Sequence, residues 1–136
     1  MKLGHILRMI PLIGAVALIY WLFALLSPDT LGRSMLNVTL PSGAVWTLTT
    51  VHLLLVLGLV ALYLEILKST RASQIFDHIM SLTGFIISLV AFLLAPRLGT
   101  SEFLLLLIMQ LIDVIAGFSV SLTAARRDIT YVDERT

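Results

Sequence analysis

The sequence predicts an all-α membrane protein: a bundle of four transmembrane helices with both termini on the cytoplasmic side. Three observations carry that expectation. Apolar residues make up 59% of the 136-residue chain and charged residues only 12%, with a mean hydropathy of +1.05. A soluble domain runs nearer half apolar and a quarter charged. The few charges punctuate four long apolar runs, and seven of the nine Lys and Arg residues fall on one side of those runs. Such a composition excludes a disordered chain, a nucleic-acid-binding surface and a soluble enzyme with a solvated exterior. A net charge of +1 implies no polyanionic partner, and the lack of cysteine excludes disulfides, thiolate metal sites and cysteine nucleophiles.

The first helix is expected over about 6–26. Met9 to Leu26 carries no charge, and at 1.5 Å per residue this run gives about 27 Å, close to a hydrocarbon core. Lys2 and Arg8 precede it as in a secretory signal, but Leu25-Leu26-Ser27-Pro28 makes a poor cleavage site, so the helix reads as retained. The second span covers about 45–68 with Glu65 near its end, the third 74–95, and the fourth 101–125 with Asp113 in its middle. Residues 126–136 form a cytoplasmic tail, and the whole of 1–136 reads as one transmembrane domain. In lipid only helices and closed barrels satisfy their own backbone, and these runs lack a barrel's alternation.

Lys2, Arg8, Lys68, Arg71, Arg126, Arg127 and Arg135 lie on one side; Arg33 and Arg97 lie on the other. That bias sets the orientation, with both termini on the cytoplasmic side. The connections at Lys68–Gln74 and Pro96–Ser101 are short, so neighbouring helices form antiparallel pairs. The outer loop, 27–44, is longer. Leu36-Asn37-Val38-Thr39-Leu40 alternates, Pro41-Ser42-Gly43 is turn chemistry, and Ala44-Val45-Trp46-Thr47-Leu48 favours strand. It reads either as a short β-hairpin on the outer face, with Trp46 at the interface, or as an irregular loop running into the second span.

Small residues mark the helix faces that pack. Asp77, Ser81, Gly84, Ser88, Ala91 and Ala95 fall at steps of four and three along the third span, and Gln110, Asp113, Gly117, Ser121 and Ala124 repeat the pattern in the fourth. Gly58 in the second span and Gly14 in the first extend it. Such stripes let backbones approach where lipid supplies no hydrophobic drive. These faces are expected to meet in one interior.

Small-residue contacts leave Asp113 unexplained, since an acidic side chain near the midplane costs about 2.5–3.5 kcal/mol on insertion scales. Depths counted from the centre of each span put Tyr20, His52, Ser88, Gln110 and Asp113 into one polar layer in the outer half. Three readings stay open for it: a structural knot, a proton- or cation-responsive carboxylate, or a lipid or pigment site. A second set, Glu65, Lys68, Arg71, Asp77, His78, Arg126 and Arg127, reads as a charge network at the cytoplasmic edge. Asp77 and His78 are adjacent and point about 100° apart, so they do not line one face.

No catalytic motif is present: no His-Glu-x-x-His, no P-loop, no Rossmann glycines, no Gly-x-Ser-x-Gly elbow. His5, His52 and His78 lie at different depths, so no metal or cofactor is implied. Trp46-Thr47-Leu48-Thr49, Glu65-Ile66-Leu67-Lys68, Ile112-Asp113-Val114-Ile115-Ala116-Gly117-Phe118-Ser119 and Ala125-Arg126-Arg127-Asp128 together resemble small four-helix inner-membrane proteins of α-proteobacteria. That resemblance implies a fold and no activity. The chain is also similar in size to small multidrug-resistance transporters, but its first span has no acidic residue where theirs carries an essential glutamate. The expectation for function is therefore a non-enzymatic accessory or scaffold subunit, as a homodimer or within a larger membrane complex. The alternative is a small proton- or cation-coupled transporter using Asp113.

Overall fold

The computed structural model describes residues 11–69 and 75–133, and every side chain in those stretches except 69, 75, 120, 121 and 123–133. Helix α1 is Leu12–Leu26 and a single turn, α2, follows at Pro28–Leu31. Strands β1 (Ser34–Thr39) and β2 (Val45–Thr49) lead into α3, Thr50–Ser69. Helix α4 is Ile75–Leu94, a 3-10 turn covers Pro96–Leu98, and α5 is Ser101–Asp133. Three helices contain stretches long and apolar enough to cross a membrane: Thr50–Lys68, Phe76–Leu94 and Ser101–Ser119. The fourth, α1, is apolar throughout, but its 15 residues rise only about 22 Å.

Helix α5 touches the other three long helices; α3 packs between it and α1, and α4 lies along its far side. The buried core joins Ile13, Ala17, Tyr20 and Ala24 of α1 to Leu54 and Ala61 of α3, Leu98, and Phe103 and Leu106 of α5. The α1 positions recur at steps of four, three and four, one face of a helix. Among the small residues of the predicted stripes, Gly58 is where α1 and α5 both crowd α3. A Cβ there would meet Leu106 at 2.8 Å, Met109 at 3.2 Å and Ile13 at 3.4 Å.

Two of the expected contact glycines do not serve that role. Nothing lies within 4 Å of a Cβ built on Gly84, and one on Gly14 would meet only Pro11 of its own chain segment. Helix α4, with the cleanest small-residue pattern, has no fully buried side chain in its apolar stretch. Ser88 and Ala91 on its inner face are half-buried. A stripe of small residues records how near a neighbour could come, and says nothing of whether this chain supplies one.

The loop between α1 and α3 resolves into the hairpin. Leu36 pairs with Leu48, Asn37 with Thr47, Val38 with Trp46 and Thr39 with Val45. The reversal closes with Leu40 N–H on the Ala44 carbonyl at 2.8 Å, and Gly43 takes a φ of 83° that favours glycine. Because Val45–Thr49 is committed to the ladder, α3 starts at Thr50 and the helix is five residues shorter at this end than expected. Thr49 then caps it: its hydroxyl faces His52 N–H at 3.5 Å while the imidazole Nδ1 accepts the Thr49 N–H at 3.3 Å, a reciprocal capping arrangement.

At the same end Thr100 caps α5 through Phe103 N–H at 3.2 Å and shares a 2.7 Å hydrogen bond with the buried Tyr20 hydroxyl. Arg97 donates to the Leu25 carbonyl at the end of α1, 2.9 Å away. At its other end α5 outruns its apolar stretch and stays helical to Asp133, past the boundary expected at 125. Charged residues end a membrane-embedded stretch, but they do not end a helix.

Candidate functional site

Polar side chains gather between α3, α4 and α5, on the side of the core away from the hairpin. Glu65, Gln110 and Asp113 are the buried polar or charged residues among those described. Glu65 is fixed first by backbone chemistry. The opening turn of a helix has N–H groups with no partner of their own, and Glu65 Oε1 accepts the first one of α1, Leu12 N–H, at 2.6 Å. Its other oxygen lies 3.8 Å from Lys68 Nζ, one turn along α3. Lys68 in turn reaches Asp77 of α4 at 3.4 Å.

Asp113 is held from α4. The Ser81 hydroxyl hydrogen-bonds its carboxylate, and His78 and Lys68 are near enough for their charge to act on it. Asp113 and Asp77 are in turn near enough to act on Glu65. The His78 ring packs on Gly117, one turn along α5 from Asp113, where any Cβ would overlap it. The roughly 100° between Asp77 and His78 thus serves two neighbours: Asp77 turns to α3, His78 to α5.

Gln110 completes the group. It lies one turn from Asp113 on the same buried stripe, is 3% exposed, and neither its Oε1 nor its Nε2 has a hydrogen-bond partner among the described residues. His78 Nε2 and Asp77 Oδ1 are likewise buried without partners.

The expected outer layer is therefore divided. Gln110 and Asp113 stay together, but they join Glu65, Lys68, Asp77 and His78 rather than the other three residues. Tyr20 sits at the hairpin end on Thr100. His52 is exposed and engaged in the α3 cap. Ser88 is half-buried two turns from Ser81, about 10 Å nearer the hairpin. Of the expected edge network, Arg71 lies outside the described residues, and Arg126 and Arg127 fall in α5 where only the backbone is described.

The grouping follows from helix boundaries. Counted from the middle of each helix or apolar stretch as observed, Asp113 lies about 4.5 Å, Ser81 about 5 Å and Glu65 about 8 Å toward the Lys68 end. Beginning the second span at Val45 moves its centre outward and carries Glu65 to the edge. Leu12, a partner of the cluster, and Thr100, the partner of Tyr20, are the site residues that sequence reasoning missed, and Ser81 was expected as a packing residue rather than as the partner of Asp113. Ser81 carried a usable signal, since it stands one turn from Asp77 on one α4 face.

Cross-linked in this way, three carboxyl groups share one ammonium and one imidazole inside a chain with three membrane-length apolar helices. Such a set can hold helices in register, take up protons, or do both. No family profile, no curated protein and no solved structure matches the chain.

Proposed function

We propose that the chain is a multi-pass protein of a bacterial inner membrane, akin to the small α-proteobacterial proteins it resembles. In this reading it crosses the bilayer four times, keeps both termini cytoplasmic, and serves as a non-enzymatic accessory or scaffold subunit of a membrane assembly. The observation that supports this reading is that the buried charges bridge helices. Glu65 of α3 holds the start of α1, Lys68 bridges Glu65 and Asp77 of α4, and Ser81 of α4 bonds Asp113 of α5. These bonds fix four helices against one another, as a subunit presenting a constant surface requires. Orientation is supported by Arg33 and Arg97 lying at the hairpin end and Lys68 at the other. Purification from native membranes in mild detergent is expected to bring down a stoichiometric partner or a second copy, and a monomer without partners would remove the reading. Labelling of a Thr39→Cys variant from the cytoplasmic side would overturn the orientation.

A second reading, a proton- or cation-coupled role for Asp113, is favoured by the unpartnered Gln110 amide, His78 Nε2 and Asp77 Oδ1 beside the carboxylates. Asp113→Asn separates the two. Its amide oxygen still accepts the Ser81 hydroxyl, so assembly should persist. The infrared carboxyl band that this variant removes is expected to titrate with pH if the second reading holds, and to stay constant if Asp113 only holds structure.

A further inference from the structure

We propose that the Lys68 end of the bundle is a one-sided proton-uptake path in which His78 relays protons to Asp113; this rests on the second reading above. The path follows a gradient of exposure. The side chains of Lys68 and Asp77 are 33% and 20% exposed, Asp113 is 7% and Gln110 3%. The groups facing Asp113 and its relay are Glu65 and Lys68 from α3, Asp77, His78 and Ser81 from α4, the amide of Gln110 on α5, and the positive first turn of α1 at Leu12.

Ion pairing alone accounts for Glu65, Lys68 and Asp77, but not for Gln110. Its amide is sealed on the Asp113 stripe with both polar atoms unpartnered, and His78 Nε2 and Asp77 Oδ1 share that condition. Buried polar atoms of this kind are what an ordered water satisfies, given two to four partners around it. A short water chain between the Lys68–Asp77 edge and Gln110 would supply each of them. Chains of carboxylate and imidazole in membrane helices are the usual form of a proton relay.

On the hairpin side the way is shut. Ile13, Leu98, Phe103 and Leu106 are fully buried, and Tyr20 is bonded to Thr100 behind them. A proton that enters therefore leaves by the same end, and the site reports the pH of one compartment without conducting across the membrane.

The step balances as two transfers. One ring nitrogen of His78 takes a proton from hydronium or a buffer acid, leaving water or the buffer base. The other ring nitrogen gives its proton to a carboxylate oxygen of Asp113, leaving a neutral carboxyl and a neutral imidazole. Gly117 is the positioning residue, because only its bare backbone leaves room for the ring.

The test follows the full chain in liposomes by time-resolved infrared spectroscopy after a pH jump, with the Asp113 band assigned by its loss in Asp113→Asn. His78→Gln is expected to slow the rise of that band about a hundredfold, the low end of what a positioned proton-transfer group contributes. Imidazole in the buffer should restore the rate. A band that titrates at the unaltered rate in His78→Gln overturns the relay and leaves the second reading standing. A band that does not titrate in the native chain overturns both. Should His78→Gln fail to fold, a His5→Gln, His52→Gln background with isotope-labelled histidine leaves His78 the only imidazole. Its imidazolium signal must then appear before the carboxyl signal, and a carboxyl rise without it overturns the relay.

Discussion

Gly58→Leu is expected to destabilise the fold by about 3 kcal/mol, and Gly84→Leu is not. Gly58 is buried in α3, and the first carbon added there already lies 2.8 Å from a methyl of Leu106, 3.2 Å from the Met109 sulfur and 3.4 Å from a methyl of Ile13. Met109 and a leucine methyl can yield to one atom, so Gly58→Ala should be mild. Leucine adds three more carbons, and Leu106 and Ile13 are themselves fully buried, with no open space to move into. Overfilling a close-packed core costs typically 1–3 kcal/mol, and contact with two other helices at once puts this case at the top of the range. A change of about 3 kcal/mol lowers the folded-to-unfolded ratio more than a hundredfold.

Gly84→Leu is the matched control. It makes the same chemical change on a membrane-length helix, so the gain in helix propensity cancels, and nothing lies within 4 Å of its Cβ. Unfolding of both variants by a denaturing detergent in mixed micelles, followed by helical circular dichroism, reads the difference. Equal stabilities, or a greater loss at Gly84, would refute the assignment of α1, α3 and α5 as the close-packed core. If Gly84→Leu leaves stability intact but abolishes co-purification, the open face of α4 is where an assembly partner sits.

Three further outcomes are expected. Thr100→Ala removes both the α5 cap and the partner of the buried Tyr20 hydroxyl; it should cost about 2–3 kcal/mol in the same titration, with Thr100→Ser close to native. Glu65→Gln keeps an acceptor for Leu12 N–H and should fold, whereas Glu65→Leu strands that donor, leaves Lys68 paired with Asp77 alone and should lose about 1–3 kcal/mol. In a Trp21→Phe background, Trp46 fluorescence should be quenched by lipids brominated near the headgroup, because the exposed hairpin carries Leu36, Val38 and Trp46 on one face; quenching by aqueous iodide instead would place that face in water.

Hydrophobic runs made the apolar helices legible, and turn residues made the hairpin legible. Val38 of the alternating run and Trp46 of the strand-favouring one are direct cross-strand partners. The limits of these elements were harder to read. Val45, Trp46 and Leu48 run without a charge or a turn residue straight into the apolar helix, so hydropathy alone does not separate a strand from the first turn of a span. The separation comes from pairing with β1, a contact between residues about ten positions apart, and from Thr49 acting as a cap. At the far end of α5 the reverse holds: Ala125-Arg126-Arg127-Asp128 looks like an exit from the membrane, yet arginine and aspartate sit readily in a helix that has reached water.

That boundary shift decides how the site is interpreted. Depth within a membrane is a difference between two counts, each taken from a helix centre, so an error of a few residues in one helix is an error of several ångströms in every partner it assigns. With α3 beginning at Thr50, Glu65 comes to within one helical turn of the level of Asp113, and two clusters that seemed independent become one. Their union changes the chemistry. Asp113 alone would be a carboxyl isolated in an apolar layer, for which a structural hydrogen bond suffices. Joined to Glu65, Lys68, Asp77 and His78, it belongs to a set with more acids than bases and a graded approach from one end. Under the proposed relay, helix register and proton uptake depend on the same side chains, so a change of protonation at Asp113 would act directly on the bonds that tie α4 to α5.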